Sequence, residues 1–232
     1  HRGGPVTRYV SGVMWRAFHG GGERRRSGPP PVTGVIITMA IVGIWILLAM
    51  TGWYLVYSAD PNAIVGSTSG EPADAWARLY TVGYTLSTLG LGDFVPQGAP
   101  WQVVTAVASG YGFGMATLVI TYLAGVAAAV TAKRQLGRTI RGLGRSPQEI
   151  VRRAWDGEHF RVLQEHLLSV VPALHGVAEQ HRAYPLISYF KSSEREAADV
   201  PAVALLHDTL AILDAADDDV RLPPLVIAPA YE

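Results

Sequence analysis

The sequence contains no cysteine, which excludes a disulfide framework, a thiolate zinc site and a cysteine nucleophile. Charge is scarce as well. Only 16% of residues are Asp, Glu, Lys or Arg, against about 25% in soluble domains. The shortage is concentrated in long charge-free stretches, so an ordinary soluble globule is excluded. What charge there is comes in blocks, behind a formal net charge of zero from 19 basic and 19 acidic side chains. Residues 1–30 carry six Arg against Glu23 alone, and residues 133–155 carry seven Lys/Arg against Glu149 alone. Residues 156–232 carry thirteen acids against five bases. A chain of 232 residues has room for one or two domains.

Val35 to Tyr57 is an uncharged run of 23 residues rich in Val, Ile, Leu, Met and Trp. As a helix it reaches about 34 Å, enough for a hydrocarbon core of about 30 Å. A second run, Trp101 to Ala132, has 32 residues without a charge and would be about 48 Å long, so it must tilt or project past the bilayer. Both are expected to be membrane helices. Arg2, Arg8, Arg16, Arg24, Arg25 and Arg26 precede the first, and Lys133, Arg134, Arg138, Arg141 and Arg145 follow the second. Basic flanks stay in the cytoplasm, so both termini are expected there and the intervening segment outside. Residues 5–18 carry Tyr9, Val10, Val13 and Ala17 near one helical face, which fits an interfacial helix or a basic tail. The sequence starts at His1 with no initiator Met, leaving room for residues before it.

Between the runs, Ser58 to Asp74 is rich in Gly, Pro, Ser and Asp and is expected to be an exposed loop without chemistry of its own. Ala75 to Thr88 is too short to span a bilayer but long enough for a re-entrant helix. Thr88 to Pro96 is apolar and glycine-rich, with neither strand nor helix period. Non-helical backbone at membrane depth is tolerated only where protein or a water-filled cavity covers it. Within it, Thr85-Leu86-Ser87-Thr88-Leu89-Gly90-Leu91-Gly92-Asp93 resembles the potassium-channel signature Thr-x-x-Thr-x-Gly-Tyr-Gly-Asp. Gly-Leu-Gly-Asp-Phe-Val-Pro is similar to the second pore segment of two-pore-domain potassium channels. With its flanking spans, the resemblance covers about residues 35 to 132.

A potassium ion crossing a low-dielectric region must exchange its water for oxygen ligands, and rings of backbone carbonyls can supply them. Gly90 and Gly92, separated by one residue, can take the φ > 0 conformations that turn successive carbonyls to one side. The resemblance implies that the carbonyls of Thr88, Leu89, Gly90 and Leu91, with Gly92 and the Thr88 hydroxyl, line the ion path. It implies filter support from Asp93, Tyr80, Tyr84 and Thr85. It also implies a homotetramer, because one loop supplies one quarter of a filter. Two positions depart from the pattern. Leu91 stands where most such families have Tyr or Phe, and Tyr84 stands where some bacterial channels place a Glu that partners the filter Asp. Arg78, Tyr80 and Tyr84 are then the candidate partners of Asp93.

Gly110, Gly112 and Gly114 pack three glycines into five positions of the second run. They read equally as a gating hinge and as close helix packing. No helix has Arg at every third position and no repeat is present, so a voltage sensor and a second pore are excluded. Beyond Arg134 the chain reads as a small all-helical module. Ser146-Pro147-Gln148-Glu149 is a helix start, Glu158 to Glu179 has apolar residues at helical spacing interrupted by Pro172, and residues 194–216 form another helix. Leu222-Pro223-Pro224-Leu225 ends the helices in an extended tail. The tail lacks a strand-linked Gly-x-Gly-x-x-Gly, and Gly142-Leu143-Gly144 follows a basic helix, so it reads as a linker. His159, His166, His175, His181 and His207 have no metal-ligand spacing and read as surface or satisfied histidines. Asp217-Asp218-Asp219 reads as a solvated charge run.

The expected architecture is therefore an all-α membrane protein in three parts. A basic segment, 1–32, precedes a pore domain at 33–134, with outer helix 35–57, pore helix 75–88, filter 88–93 and inner helix 101–132. A helical domain with an extended end occupies 135–232. The expected function is a passive, homotetrameric potassium channel in the plasma membrane, with membrane lipids and an unidentified cytoplasmic protein as further partners. No enzyme activity, nucleic acid or cofactor beyond potassium ions in the filter is expected. The alternatives are a weakly selective monovalent cation channel and a non-conducting, membrane-anchored scaffold.

Overall fold

The computed structural model describes Gly12, residues 33–190, residues 199–215 and Pro223. The expected interfacial helix at 5–18, the Asp217–Asp219 run and the Leu222–Leu225 end fall outside those residues, Gly12 and Pro223 aside. The chain divides into two compact units, Thr38–Ala124 and a second made of His1–Ile37 with Gly125–Glu232.

Helix α1, Thr33–Ser58, has 26 residues and matches the first apolar run to within a residue or two at each end. The next helix, α2, is Ala75–Leu86. Its Asp74 N-cap accepts a hydrogen bond from the Ala77 N–H at 2.7 Å, closing one orphan donor of the first turn. The pore helix expected at 75–88 thus ends two residues early, because Ser87 is its C-cap and Thr88 has a φ of 59°, which no helix can continue through. Helix α3, Gly98–Leu143, has 46 residues, about 69 Å of rise. The inner helix expected at 101–132 is therefore longer, and it runs through the expected domain boundary at 134–135. Loss of hydrophobicity at Lys133 ends the membrane part of the pattern but supplies no helix breaker. Among the described residues, α1 and α3 are the two helices long and apolar enough to cross a membrane.

The stretch expected to be a featureless exposed loop is the main departure. Ala63, Ile64, Val65, Gly66 and Ala73 are buried, and Ile64–Gly66 forms β1. It pairs antiparallel with β2, Phe94–Pro96, in the register Ile64 with Pro96, Val65 with Val95 and Gly66 with Phe94. Gly and Pro density concealed a three-residue strand too short to show a period. The core of this unit gathers Tyr57 from α1, Ala63, Ile64 and Ala73 from the loop and Val82 from α2. Tyr57 donates to Thr105 Oγ1 at 2.9 Å, and the Trp101 indole donates to Asp60 at 3.1 Å. Both polar tips are thereby satisfied.

In the second unit, α4 (Pro147–Ala154), α5 (Arg161–Ala183) and α6 (Asp199–Asp214) pack on the end of α3, and a 3₁₀ turn at Pro185–Tyr189 packs against α5. Leu136 and Ile140 of α3 share a core with Ile150, Leu163, Leu167, Val170, Leu206, Leu210 and Leu213. Helix α5 continues through Pro172, where an interruption was expected. Burial of Leu167, Val170 and Val171 on one side and Val177 on the other holds both halves in place despite the missing N–H. Lys133 is buried and donates to the Phe190 carbonyl at 3.4 Å. The Phe190 ring covers Gly34, where a β-carbon would lie 2.6 Å from its Cγ.

The start of α4 carries the expected cap. Ser146 Oγ accepts from the Glu149 N–H at 3.2 Å. Glu149 reaches back to the Arg145 N–H at 2.8 Å and lies 2.6 Å from the Arg153 guanidinium. The hydrogen bond first, then the nearby cations, holds the Glu149 carboxyl below its ordinary range. Asp156 accepts from the N–H groups of His159 at 2.6 Å and Glu158 at 2.9 Å, with the same result. Both groups are more acidic in the folded chain, so their contribution is complete above the unfolded carboxylate pKa of about 4. It is lost as pH falls through the lowered folded values. Protection of the α4 amides, taken as the exchange rate relative to an unfolded amide at the same pH, is therefore expected to fall as pH drops below about 4, and Glu149→Gln is expected to flatten that dependence. A parental pH profile that Glu149→Gln leaves unchanged would remove this role.

Candidate functional site

The expected filter begins where α2 stops. The Thr88 N–H donates to the Thr85 carbonyl at 3.0 Å and the Leu89 N–H to the Tyr84 carbonyl at 2.8 Å. That pair of bonds is the Schellman ending of a helix, with Thr88 in the left-handed position that glycine usually occupies. A β-branched residue there costs about 1–3 kcal/mol. From that point the backbone alternates. Thr88, Gly90 and Gly92 have φ of 59°, 58° and 82°, whereas Leu89 and Leu91 are not among the positive-φ residues. Alternation of left- and right-handed residues turns successive peptide groups to a common side, as in anion-binding nests with donor and acceptor exchanged. A β-carbon at Gly90 or Gly92 would meet no atom within 4 Å, so conformation alone explains glycine at these two positions. Residues 87–93 are exposed on the chain.

Of the candidate partners of Asp93, Tyr80 is the one that reaches it. Its hydroxyl donates to Asp93 Oδ2 at 2.8 Å. Tyr84 donates to the Phe94 carbonyl at 2.5 Å. Arg78 turns away and donates to the carbonyls of Pro61 at 3.3 Å and Ala73 at 3.1 Å. The rings of Tyr80, Tyr84 and Phe94 stack edge to face, 5.2 Å between the tyrosines and 6.4 Å from Tyr80 to Phe94. Thr85 is buried on α2 and accepts from Thr88 through its carbonyl. Tyr80, Tyr84 and Thr85 of α2 thus bond to Asp93, Phe94 and Thr88, the residues that flank 89–92. Sequence reasoning missed the donation from the Ser67 N–H to the Asp93 carbonyl, 2.9 Å long. The sequence carried little signal for it, because Ile64-Val65 and Val95-Pro96 are too short to show a period and only their pairing makes them strands.

Residues 35–129 match the ion-channel family Ion_trans_2. Over this stretch, with its two long apolar helices, the chain is similar to that ion-channel family. Over 213 residues, 90% of its length, the chain is also 34% identical to the uncharacterized membrane protein YdjJ of Bacillus subtilis. It spans 61% of the length of that relative. No solved structure matches the chain.

The three glycines of α3 separate. A β-carbon at Gly112 would overlap the Leu86 carbonyl and its neighbouring backbone atoms, whereas at Gly110 and Gly114 it would meet nothing within 4 Å. Gly112 therefore lets α3 approach the last turn of α2, and α3 is an unbroken helix across all three. Gly112→Ala is expected to cost about 1–3 kcal/mol, since backbone on both sides must move. Gly110→Ala and Gly114→Ala are expected to be neutral or stabilising by up to about 1 kcal/mol through helix propensity. Thermal unfolding of the three variants in detergent decides. Equal effects at all three positions would remove the packing role of Gly112.

Proposed function

We propose that four copies of this chain form a passive potassium-selective channel in the plasma membrane, with both termini in the cytoplasm. The observation that carries the reading is the positive φ at Thr88, Gly90 and Gly92 in an exposed, non-helical stretch between two long apolar helices. Around a fourfold axis such strands would present rings of carbonyls from Thr88, Leu89, Gly90 and Leu91, replacing the ion's water at low cost. Thr88 adds a reason of its own. Glycine would occupy its backbone conformation without strain, so the hydroxyl is what the costly threonine contributes. Asp93, held by Tyr80, braces the strand from behind. The end of α3 lies inside the core of the helical module, so movement of that module would be delivered directly to the inner helix and tune opening without touching the ion path.

The test is flux into proteoliposomes holding the purified protein. Potassium and rubidium are expected to pass much faster than sodium, and barium, similar in size to potassium with twice the charge, is expected to block. Absence of flux would favour a scaffold. A second reading, a weakly selective monovalent cation channel, is favoured by Leu91. It is about half exposed and brings no ring to pack toward α2. Under the first reading Leu91→Tyr leaves the potassium preference in place; under the second, the parent passes sodium comparably and Leu91→Tyr restores discrimination.

The threonine argument generates its own expected outcome. Thr88→Gly should relieve the left-handed strain and raise the unfolding midpoint, by about 1 kcal/mol per subunit, while lowering potassium flux. A variant that conducts as the parent does would show that the hydroxyl is dispensable.

A further inference from the structure

The loop between α1 and α2 is bonded to the outer end of the proposed filter through its main chain. Strand β1 pairs residue for residue with β2, which begins immediately after Asp93. Beyond the ladder, the Ser67 N–H donates to the Asp93 carbonyl at 2.9 Å, and the Gln97 N–H to the Ala63 carbonyl at 3.0 Å. Two successive carbonyls at the filter exit are thereby held from two different elements. The loop takes Asp93 O through Ser67, and α2 takes Phe94 O through the Tyr84 hydroxyl. The Asp93 side chain is fixed separately by Tyr80.

The loop is stiff enough to hold something. The Gly66 N–H donates to the Glu71 carbonyl at 2.9 Å, Gly70 N–H to Gly66 O at 2.9 Å and Ala73 N–H to Ile64 O at 3.0 Å. Val65 also bridges Pro72. Arg78 fastens both ends of the loop by donating to Pro61 O and Ala73 O. Ala63, Ile64 and Ala73 are embedded in the core with Tyr57 and Val82. A rotation of the peptide that carries the Asp93 carbonyl would have to break the Ser67 bond, with no slack in the loop to follow it.

We propose that residues 64–67 are a main-chain brace that sets the orientation of the filter exit, with the Ser67 amide as the positioning group. This deepens the conduction reading and rests on it. The Ser67 side chain has no part in it, so the effect belongs to the N–H alone.

The experiment replaces the amide at position 67 by an ester in the full-length channel, using an α-hydroxy acid incorporated during expression, which deletes the N–H and keeps the shape. Ser67→Ala keeps the N–H. An ester at position 70 deletes a bond internal to the loop and serves as the structural control. The position-67 ester is expected to lower the potassium-to-sodium flux ratio about fivefold, the equivalent of about 1 kcal/mol for one hydrogen bond. Ser67→Ala and the position-70 ester are expected to retain the parental ratio. A parental ratio in the position-67 ester overturns the brace, and so does an equal loss in the position-70 ester. Failure of only the position-67 ester to assemble also overturns it, since the bond would then serve folding instead of aim. If the parent shows no preference for potassium, the conduction reading fails by itself. The brace is then judged by the Asp93 carbonyl ¹³C shift, which must move with the position-67 ester and stay with the position-70 ester.

Discussion

The constraint on which the rest depends is the stretch of non-helical backbone from Ser87 to Asp93, set between two membrane helices. Non-helical backbone at membrane depth is tolerated only where protein or a water-filled cavity covers it. The chain meets this by splinting both ends. At the start, the Schellman bonds of Thr88 and Leu89 return to the last turn of α2. At the end, Ser67 and Tyr84 take the carbonyls of Asp93 and Phe94. What remains between the splints is a short non-helical stretch with positive φ at Thr88, Gly90 and Gly92, the feature the proposed conduction path would use.

The same constraint explains the surroundings. The tyrosines of α2 are spaced four apart, so both hydroxyls reach the returning chain, one to the Asp93 carboxylate and one to the next carbonyl. Gly112 lets α3 close on the end of α2 without a side chain intervening. The loop that precedes α2 is pinned by its own ladder to β2. Each element near the strand contributes either a donor to it or the space for it to sit.

Helix α3 carries a second theme. Its length of 46 residues exceeds what a membrane requires, and the excess is used as a structural member of the helical module. Leu136 and Ile140 are core residues there, so the end of α3 is part of the module's own core. Buried Lys133, with its bond to the Phe190 carbonyl, sits at the changeover from apolar to basic sequence.

Much was legible in the sequence because it depends on composition and near-neighbour chemistry. Two charge-free runs gave the spans, Ser146-Pro147-Gln148-Glu149 gave a helix start, and the spacing of Thr88, Gly90, Gly92 and Asp93 marked the candidate site. Three matters depend on tertiary contacts. Which residue holds Asp93 depended on side-chain reach across a turn, and Tyr80 reaches it where Arg78 is drawn to the loop carbonyls. How the α3 glycines are surrounded depended on a neighbour: a β-carbon at Gly112 would meet the Leu86 backbone, and at Gly110 and Gly114 it would meet nothing within 4 Å among the described residues. The three-residue strand at Ile64–Gly66 had no period to read, and only its partner thirty residues away makes it a strand. Local pattern determines where a helix begins and what can enter a membrane; which polar group finds which partner is a property of distance in space, and the sequence does not carry that distance.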